Sequence, residues 1–145
     1  MSELREIFDR GERAFNEHDV DAVMALYAPD ARFRGPGGMD MNEAGAIRQF
    51  TVGWFQGFPD CRIRTTRVIE AGDTIIQEGV FTGTQTGVFP TPMGDIPPTN
   101  KAVEGPFVDV YVFSDGKIVD DHLYFDRMEL MEQLGLVPAP AAAGG

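Results

Sequence analysis

The residues best placed for chemistry lie near the carboxyl end of the chain, within residues 107–126. Two stretches there alternate in polarity, which predicts two strands, and Asp115-Gly116 between them predicts a tight hairpin turn. With a two-residue loop, Asp109 lies opposite His122. Directly opposed residues have Cβ atoms about 4.5–5.5 Å apart, so this carboxylate can hold the imidazole in one tautomer. The pair predicts a histidine that donates a proton to a carbonyl oxygen.

The register of this hairpin decides which side chains meet. A three-residue loop ending in Gly116 shifts one strand by a residue and sets Asp109 against Asp121 instead. Two opposed carboxylates repel each other, whereas the first register gives a matched acid and imidazole. We therefore favour the two-residue loop, with a bulge as the alternative. In either register His122 and Tyr124 share one face of the second strand.

Composition limits the classes of function. A length of 145 residues fits one domain and is too short for two. Twelve Lys and Arg against twenty-three Asp and Glu give a net charge of -11, so we expect neither nucleic acid nor a membrane as a partner. Cys61 cannot form an internal disulfide, and we expect a small buried residue rather than a nucleophile. Together these features favour a cytoplasmic protein.

The order of predicted elements indicates an α+β domain. Apolar residues at helical spacing predict helices from Ser2 to about His18, after Asp19, after Asn42 and after Asp126. Alternation predicts a short strand over 31–34, then hairpins over 61–86 and 103–125, while four prolines make 87–101 an irregular loop and a natural lid. We expect the helices to cover one face of the sheet. Gly79, Gly83 and Gly87 could bend its long strands, and a strongly curved sheet would leave a cavity.

The domain is predicted to cover residues 1–137. The tail 138–145 is too poor in apolar residues to pack, and we expect it to be disordered.

Short motifs follow one another along nearly the whole chain. They are Trp54-Phe55, Phe58-Pro59-Asp60, Ala71-Gly72-Asp73, Gly83-Thr84-Gln85-Thr86-Gly87, Ile96-Pro97-Pro98-Thr99, Asp115-Gly116-Lys117-Ile118, and Tyr124-Phe125-Asp126 through Gln133-Leu134-Gly135-Leu136. In this order they resemble the SnoaL-like polyketide cyclases, an ester cyclase family of the nuclear-transport-factor-two-like superfamily. The resemblance implies a curved antiparallel sheet wrapped around the N-terminal helices. This is a cone-shaped α+β barrel with a deep apolar internal pocket, commonly in a homodimer.

The resemblance also implies a reaction. Cyclases of this family close a ring by intramolecular aldol condensation, without metal or cofactor, and use an aspartate at the end of the last strand as acid and base. Asp126 occupies that position, and a family-like aspartate falls at Asp109. The chain departs from the family pattern at Gln85, where many relatives carry histidine, at Asn100 and at Val112.

These observations predict a cofactor-independent enzyme of the polyketide cyclase type. Asp126 removes a proton next to a carbonyl group and His122 polarises the oxygen. A simpler role for Asp126 is a helix cap, which contributes about 0.5–2 kcal/mol. Predicted substrate-binding residues, several of them aromatic and able to stack on a flat ligand, are Asp109, Trp54, Phe58, Gln85, Phe107 and Tyr124. We predict no metal site.

Two other functions compete with this one. The related limonene-epoxide-hydrolase group implies a hydrolase or hydratase in which the aspartate activates water, and the same fold also serves non-catalytic binding domains. The expected partners are a hydrophobic small-molecule substrate and a second copy of the chain. Val119, Leu123 and Phe125 are predicted to form the surface that the second copy covers.

Overall fold

Four helices and eight strands make up residues 2–138, which are the residues that the computed structural model describes. The helices are α1 (Glu3–Asn16), α2 (Val20–Met24), α3 (Ala44–Gly57) and α4 (Arg127–Gln133). The strands are β1 (Tyr27–Gly35), β2 (Met39–Met41), β3 (Arg62–Ala71), β4 (Thr74–Thr84), β5 (Phe89–Thr91), β6 (Gly94–Ile96), β7 (Ala102–Ser114) and β8 (Lys117–Phe125). Apart from Pro138, the predicted disordered tail lies outside the described residues.

Six strands form one curved sheet in the order β2-β1-β8-β7-β4-β3. Neighbouring strands are antiparallel except β1 and β8, which run parallel. Helices α1 and α3 contact the sheet, and β5 and β6 form a separate hairpin that contacts α3. The predicted α+β fold with a curved sheet is confirmed, although the sheet does not close into a barrel.

Local sequence signals place three of the four helix starts correctly. Ser2, Asp19 and Asp126 each accept a hydrogen bond from a backbone N–H three residues later, at 3.0–3.1 Å. The predicted cap at Asn42 is wrong, because α3 begins one residue later with Glu43 as its N-cap, and that side chain makes no capping hydrogen bond.

Two segments in which no strand was predicted contain short strands. Gly37 and Gly38 adopt positive φ angles, which turn the chain so that β2 pairs with β1. The predicted loop 87–101 contains the β5–β6 hairpin, in which Gly94, at φ 117°, begins β6 and pairs with Thr91. Strand β1 also starts earlier than predicted, since Pro29 lies where the register with β8 shifts and its missing N–H removes no regular ladder bond.

The hydrophobic core fills the space between the helices and the sheet. One cluster joins Ile7 and Phe8 of α1 to Ile75, Phe113 and Ile118 of the sheet, and each of these residues is at most 7% exposed. A second cluster joins α3, α4 and β7 around Phe58. No helix within residues 2–138 is long and apolar enough to cross a membrane.

The β7–β8 hairpin contains one irregularity that controls the site. Asp115 and Gly116 have φ angles of 52° and 74°, so the predicted two-residue turn is confirmed. Phe113 also pairs with Ile118 as predicted. Beyond that pair the register shifts by one, because Val119 is an extra residue, a β-bulge, with no partner on β7.

The bulge reverses the predicted faces of β8. Asp109 pairs with Leu123 rather than with His122, so the predicted contact between Asp109 and His122 is wrong. Leu123 and Phe125 point into the molecule instead of forming the predicted partner surface. The physical reason is the period of two in a strand, where one extra residue exchanges the inner and outer sets of side chains.

Candidate active site

An apolar cavity of about 170 Å³ lies between the helices and the inner face of the sheet. Its walls include aromatic side chains from both layers, namely Phe8, Phe33, Phe50, Trp54, Phe81 and Phe107. A protein cavity of roughly 150 Å³ lined by apolar side chains accommodates benzene. The enclosed space therefore fits a compact group about the size of one ring.

Asp109 brings a carboxyl group to the wall of this cavity. Asp109 is 7% exposed, and Asp121 on the neighbouring strand β8 is fully buried. Among residues 2–138, neither aspartate forms an ion pair, and one oxygen of each carboxyl group, Oδ1, has no hydrogen-bond partner. Two acids thus lie in an apolar setting without a compensating cation.

Burial makes these two carboxyl groups hold a proton. It raises the pKa of Asp109, partly offset by hydrogen bonding to Asp121 and Tyr111. It raises the pKa of Asp121 further, and the adjacent charge of Asp109 adds to that rise. Two carboxylates in contact cannot both ionise without strong repulsion, so the pair titrates as a unit that shares one proton.

Two tyrosines and an amide complete the polar group. The hydroxyl of Tyr27 donates to Asp121 Oδ2 at 2.5 Å, and the hydroxyl of Tyr111 donates to Gln77 Oε1 at 3.1 Å. Burial raises the pKa of both phenols well above the ordinary value, followed by the nearby aspartate charges. Both tyrosines therefore remain protonated hydrogen-bond donors.

Asp126 lies at the rim of the same cavity. Its side chain is exposed and accepts the backbone N–H of Glu129 at 3.0 Å, as the cap of α4. Asp126 follows Leu123, the pairing partner of Asp109, by three residues, and three steps along a strand span about 10 Å. The carboxyl groups of Asp109 and Asp126 can thus contact two different atoms of one small molecule.

His122 and Tyr124 lie on the opposite face of the sheet from the cavity. Their rings stack at 4.1 Å between centroids, and Tyr124 is 51% exposed. The Tyr124 hydroxyl and His122 Nδ1 are 3.0 Å apart. The predicted positions of both residues in the pocket are wrong because of the bulge at Val119, and the role of His122 as a proton donor has no support from its position.

The remaining predicted binding residues divide between wall and core. Trp54 and Phe107 line the cavity. Phe58 is fully buried behind it, with ring centroids 5.8 Å from Trp54, 5.4 Å from Phe81 and 5.2 Å from Phe89. Phe58 therefore supports the wall from the core.

Gln85 is fully buried and binds the chain itself. Its Nε2 donates to three backbone carbonyl oxygens at 3.0–3.1 Å, and its Oε1 accepts from the backbone and hydroxyl of Thr99 at 3.1 and 2.7 Å. These bonds fix the segment that contains β5 and β6. Among the residues that line the cavity, Gln85 does not occur.

Among the described residues, neither Cys61 nor a group of metal-binding side chains provides a second reactive site. Cys61 is fully buried, and burial, with a smaller contribution from Asp60, raises the pKa of its thiol to about 12, so it remains an unreactive thiol. In the described part of the chain, no group of three or more His, Cys, Asp or Glu side chains is arranged to hold a metal ion.

The chain matches one known protein family over most of its length. Residues 6–121 match the model of the SnoaL-like domain, which is most of the chain. The chain belongs to the SnoaL-like family. The predicted family is thereby confirmed.

Solved structures share the fold of this SnoaL-like chain at low sequence identity. AclR, a candidate hydroxylase from Streptomyces galilaeus, has 22% identity and a TM-score of 0.84 over 99% of this chain and 88% of its own. A candidate SnoaL-like polyketide cyclase from Jannaschia sp. CCS1 has 21% identity and a TM-score of 0.82 over 94% of each chain. An LEH-like epoxide hydrolase from M. tuberculosis has 16% identity and a TM-score of 0.69 over 91% and 89%.

These similarities establish the fold of the SnoaL-like chain, and the reaction must be argued from its own site. A comparison with curated protein sequences found no significant match. At identities of 16–22%, the structural neighbours include proteins named for different reactions.

Sequence reasoning missed most of the polar group in this SnoaL-like cavity. Asp121 appeared only in the alternative register, and Tyr27 had no predicted role in the site. Tyr111 and Gln77 gave no separate signal. The three-residue loop that we did not favour would also have set Asp121 against Asp109, but in the structure the bulge at Val119 brings Asp121 to the inner face.

Proposed function

We propose that this SnoaL-like protein is a cofactor-independent acid/base enzyme that closes a ring in a small hydrophobic, polyketide-like carbonyl compound by an aldol-type reaction. One observation carries the proposal: an apolar cavity with a buried carboxyl group, Asp109, that shares a proton with Asp121 and faces no cation among the described residues. Family membership supports the same class of enzyme.

Asp109 is the proton donor in this mechanism. A neutral carboxylic acid at the cavity wall donates a hydrogen bond to a substrate carbonyl oxygen and transfers the proton when negative charge develops there. Water is scarce in the enclosed part of the cavity, so the interaction is stronger than it would be in solvent. Asp121, which accepts a hydrogen bond from Tyr27 and whose pKa is raised further than that of Asp109, shares its proton with Asp109 and resupplies it as the transfer proceeds.

Asp126 is the base in this mechanism. It takes a proton from the carbon next to one carbonyl group, and the resulting enolate carbon bonds to a second carbonyl carbon of the same molecule. The oxygen of that second carbonyl receives a proton from Asp109. Proton exchange with solvent at the cavity mouth returns both aspartates to their starting states, so the reaction is an isomerisation.

The size of the cavity restricts the substrate. About 170 Å³ holds a single ring with small substituents, so a polycyclic compound could enter only in part, with the rest outside the rim near Asp126. Aromatic walls favour a flat, apolar group in the enclosed part. The substrate is therefore expected to have two carbonyl groups within one ring-sized unit.

A product-analysis screen tests the proposal. One-ring-sized diketones and keto esters are incubated with the protein and with Asp126→Asn, in which asparagine still caps the helix. We expect a cyclic isomer from the parent protein and at least a tenfold slower reaction from the variant. If compounds bind, as measured by thermal shift, but none gives a product, the result would contradict the proposed enzymatic function and favour a binding domain.

An epoxide hydrolase or hydratase reaction is the second candidate. The same Asp109 proton could be donated to an epoxide oxygen while Asp126 activates water, and the M. tuberculosis LEH-like epoxide hydrolase shares the fold. The same screen distinguishes the two reactions, because an epoxide gives a diol and an aldol substrate gives a cyclic isomer.

We also propose that the protein forms a homodimer through the outer face of the sheet. Val108, Val110 and Val112 alternate with the inward-facing residues of β7 and form an apolar row next to His122 and Tyr124. Light scattering at micromolar concentration should give twice the mass of one chain. The Val110→Lys variant should give the mass of one chain. A monomeric parent protein would contradict the dimer.

A further inference from the structure

The charged side chains that line the cavity are all acidic. Glu12 of α1, Asp109 of β7, the α4 cap Asp126 and Glu129 of α4 bring four carboxyl groups to its walls. Among the described residues that line the cavity, none is Lys, Arg or His. None of the four carboxyl groups forms an ion pair within residues 2–138. A charged group of a bound molecule would therefore meet carboxyl groups and no protein cation.

Asp109 indicates that a bound molecule supplies a polar partner inside this cavity. The residue is 7% exposed, and its Oδ1 atom has no hydrogen-bond partner. Buried polar atoms in folded proteins are normally hydrogen-bonded, and an unpaired one lowers stability. A carbonyl oxygen of a ligand would pair with this carboxyl group when the group is protonated. This observation is separate from the acidic lining, and it points to a ligand in the same space.

Glu12 lies between two aromatic rings on the cavity side of α1. Phe8, Glu12 and Phe15 are four and three residues apart, so they share one face of the helix, and all three line the cavity. The Thr65 hydroxyl donates to Oε2 of Glu12, which fixes the carboxylate against β3. Within residues 2–138 no hydrogen bond reaches the other oxygen, Oε1. Glu12 can therefore accept a hydrogen bond from a ligand.

A carboxylate between aromatic rings favours an organic ammonium group. Glutamate side chains are ordinarily ionised at neutral pH, and a hydrogen bond between an ammonium group and a carboxylate is stronger than one between neutral groups. The faces of aromatic rings also attract a cation. An anion in the same place would be repelled by every carboxylate and would lose its hydration without compensation.

The spacing of the walls suits a small molecule with two polar ends. Thr65, the partner of Glu12, pairs with Gly79, which pairs with Phe107. Two strand spacings, about 10 Å, therefore separate Thr65 from Phe107. Phe107 and Asp109 share the inner face of β7. One ring with two substituents can thus present an amine to Glu12 and a carbonyl oxygen to Asp109.

We propose that Glu12, with Phe8 and Phe15, binds a protonated amino group, so that the substrate is a one-ring-sized carbonyl compound that carries an amine. The inference deepens the proposed function and rests on it for the carbonyl group, whereas the amine site can be tested by binding alone. Asp109 and Asp126 keep their roles as acid and base. The acidic lining rejects carboxylates of the same size.

The test compares three probes that share one ring and differ in charge, namely benzylamine, benzyl alcohol and benzoate. Trp54 is the one tryptophan of the chain and lines the cavity, so its fluorescence emission reports binding there. Thermal shift in the same solutions detects a probe that leaves the emission unchanged. At pH 7 we expect a Kd at least tenfold lower for benzylamine than for benzyl alcohol, and no measurable binding of benzoate.

Two variants of α1 separate a local contact from net charge. Glu12→Gln keeps the length of the side chain and can still accept from Thr65, but it removes the carboxylate. We expect its Kd values for benzylamine and benzyl alcohol to differ by less than threefold. Glu6→Gln removes one carboxylate from an exposed position of the same helix, so it changes the net charge equally and should keep the parent preference for benzylamine.

Several outcomes would overturn the amine site. They are equal Kd values for benzylamine and benzyl alcohol in the parent protein, a preference for benzylamine that survives in Glu12→Gln, benzoate binding as tight as that of benzylamine, and no binding of any probe.

These measurements need no turnover. A preference for benzylamine that Glu12→Gln removes would support the site even if no carbonyl compound reacts. A protein that cyclises a neutral diketone but shows no preference for benzylamine would keep the proposed function and contradict the amine site.

Discussion

Asp120 and Asp121 are adjacent in sequence and lie on opposite faces of β8. Asp120 lies on the outer face, where its side chain is 30% exposed and accepts a hydrogen bond from Arg34 at 3.1 Å. Asp121 is fully buried, with Tyr27 as its donor and Asp109 beside it. The same side chain is thus an ordinary ion-pair partner on one face and part of a proton-holding pair on the other. Environment, rather than residue type, determines what each carboxyl group can do.

Deleting Val119 should have the largest effect on this difference. Without the extra residue, Asp121 would turn outward and His122 inward, and every later side chain of β8 would exchange faces. We expect a loss of about 4 kcal/mol or more in the free energy of unfolding, measured in urea. Val119→Ala keeps the bulge and serves as the control. A deletion variant as stable as Val119→Ala would show that the bulge does not set the faces.

Truncating one side chain on each face of β8 should lower the free energy of unfolding by unequal amounts. Leu123 lines the cavity wall, so Leu123→Ala should lower the free energy of unfolding by about 2 kcal/mol. Tyr124 is 51% exposed, so Tyr124→Ala should lower it by about 0.5 kcal/mol. Equal losses from the two variants in urea would mean that the two faces are equally packed in solution.

The pH dependence of stability should distinguish Asp121 from Asp120. Burial, followed by the charge of Asp109, raises the folded-state pKa of Asp121, so the folded protein binds more protons than the unfolded chain above pH about 4. The stability that this proton contributes is complete below that pH and is lost as pH rises through the folded pKa. The slope approaches about 1.4 kcal/mol per pH unit.

Replacing Asp121 by Asn should flatten that slope, because asparagine binds no proton in either state. Urea unfolding from pH 4 to pH 8 gives the comparison, with Asp120→Asn as the control that should retain the parent slope. If both variants keep the parent slope, the buried pair does not hold an extra proton.

Local signals in the sequence predicted much of the fold. Asp115-Gly116 predicted a turn whose φ angles are both positive, and Asp19 and Asp126 predicted helix starts, because a turn or a cap depends on a few adjacent residues. The family resemblance added the curved sheet and the pocket.

The inner polar group could not be predicted in the same way. Val119 is an ordinary strand residue with no local mark of a bulge, and two successive aspartates give no sign of which one faces inward. Tyr27 reaches Asp121 across 94 positions of the chain, a contact that depends on the parallel pairing of β1 with β8. Only the assembled sheet brings these side chains together.

Turnover by Asp109→Asn, beside Asp120→Asn, is the most direct test of the proton-donating pair. Asparagine keeps the shape of the side chain but cannot transfer a proton. With a carbonyl compound that the parent protein converts, we predict a kcat at least about a hundredfold lower for Asp109→Asn and a parent-like value for Asp120→Asn. A parent-like kcat in Asp109→Asn would contradict the account.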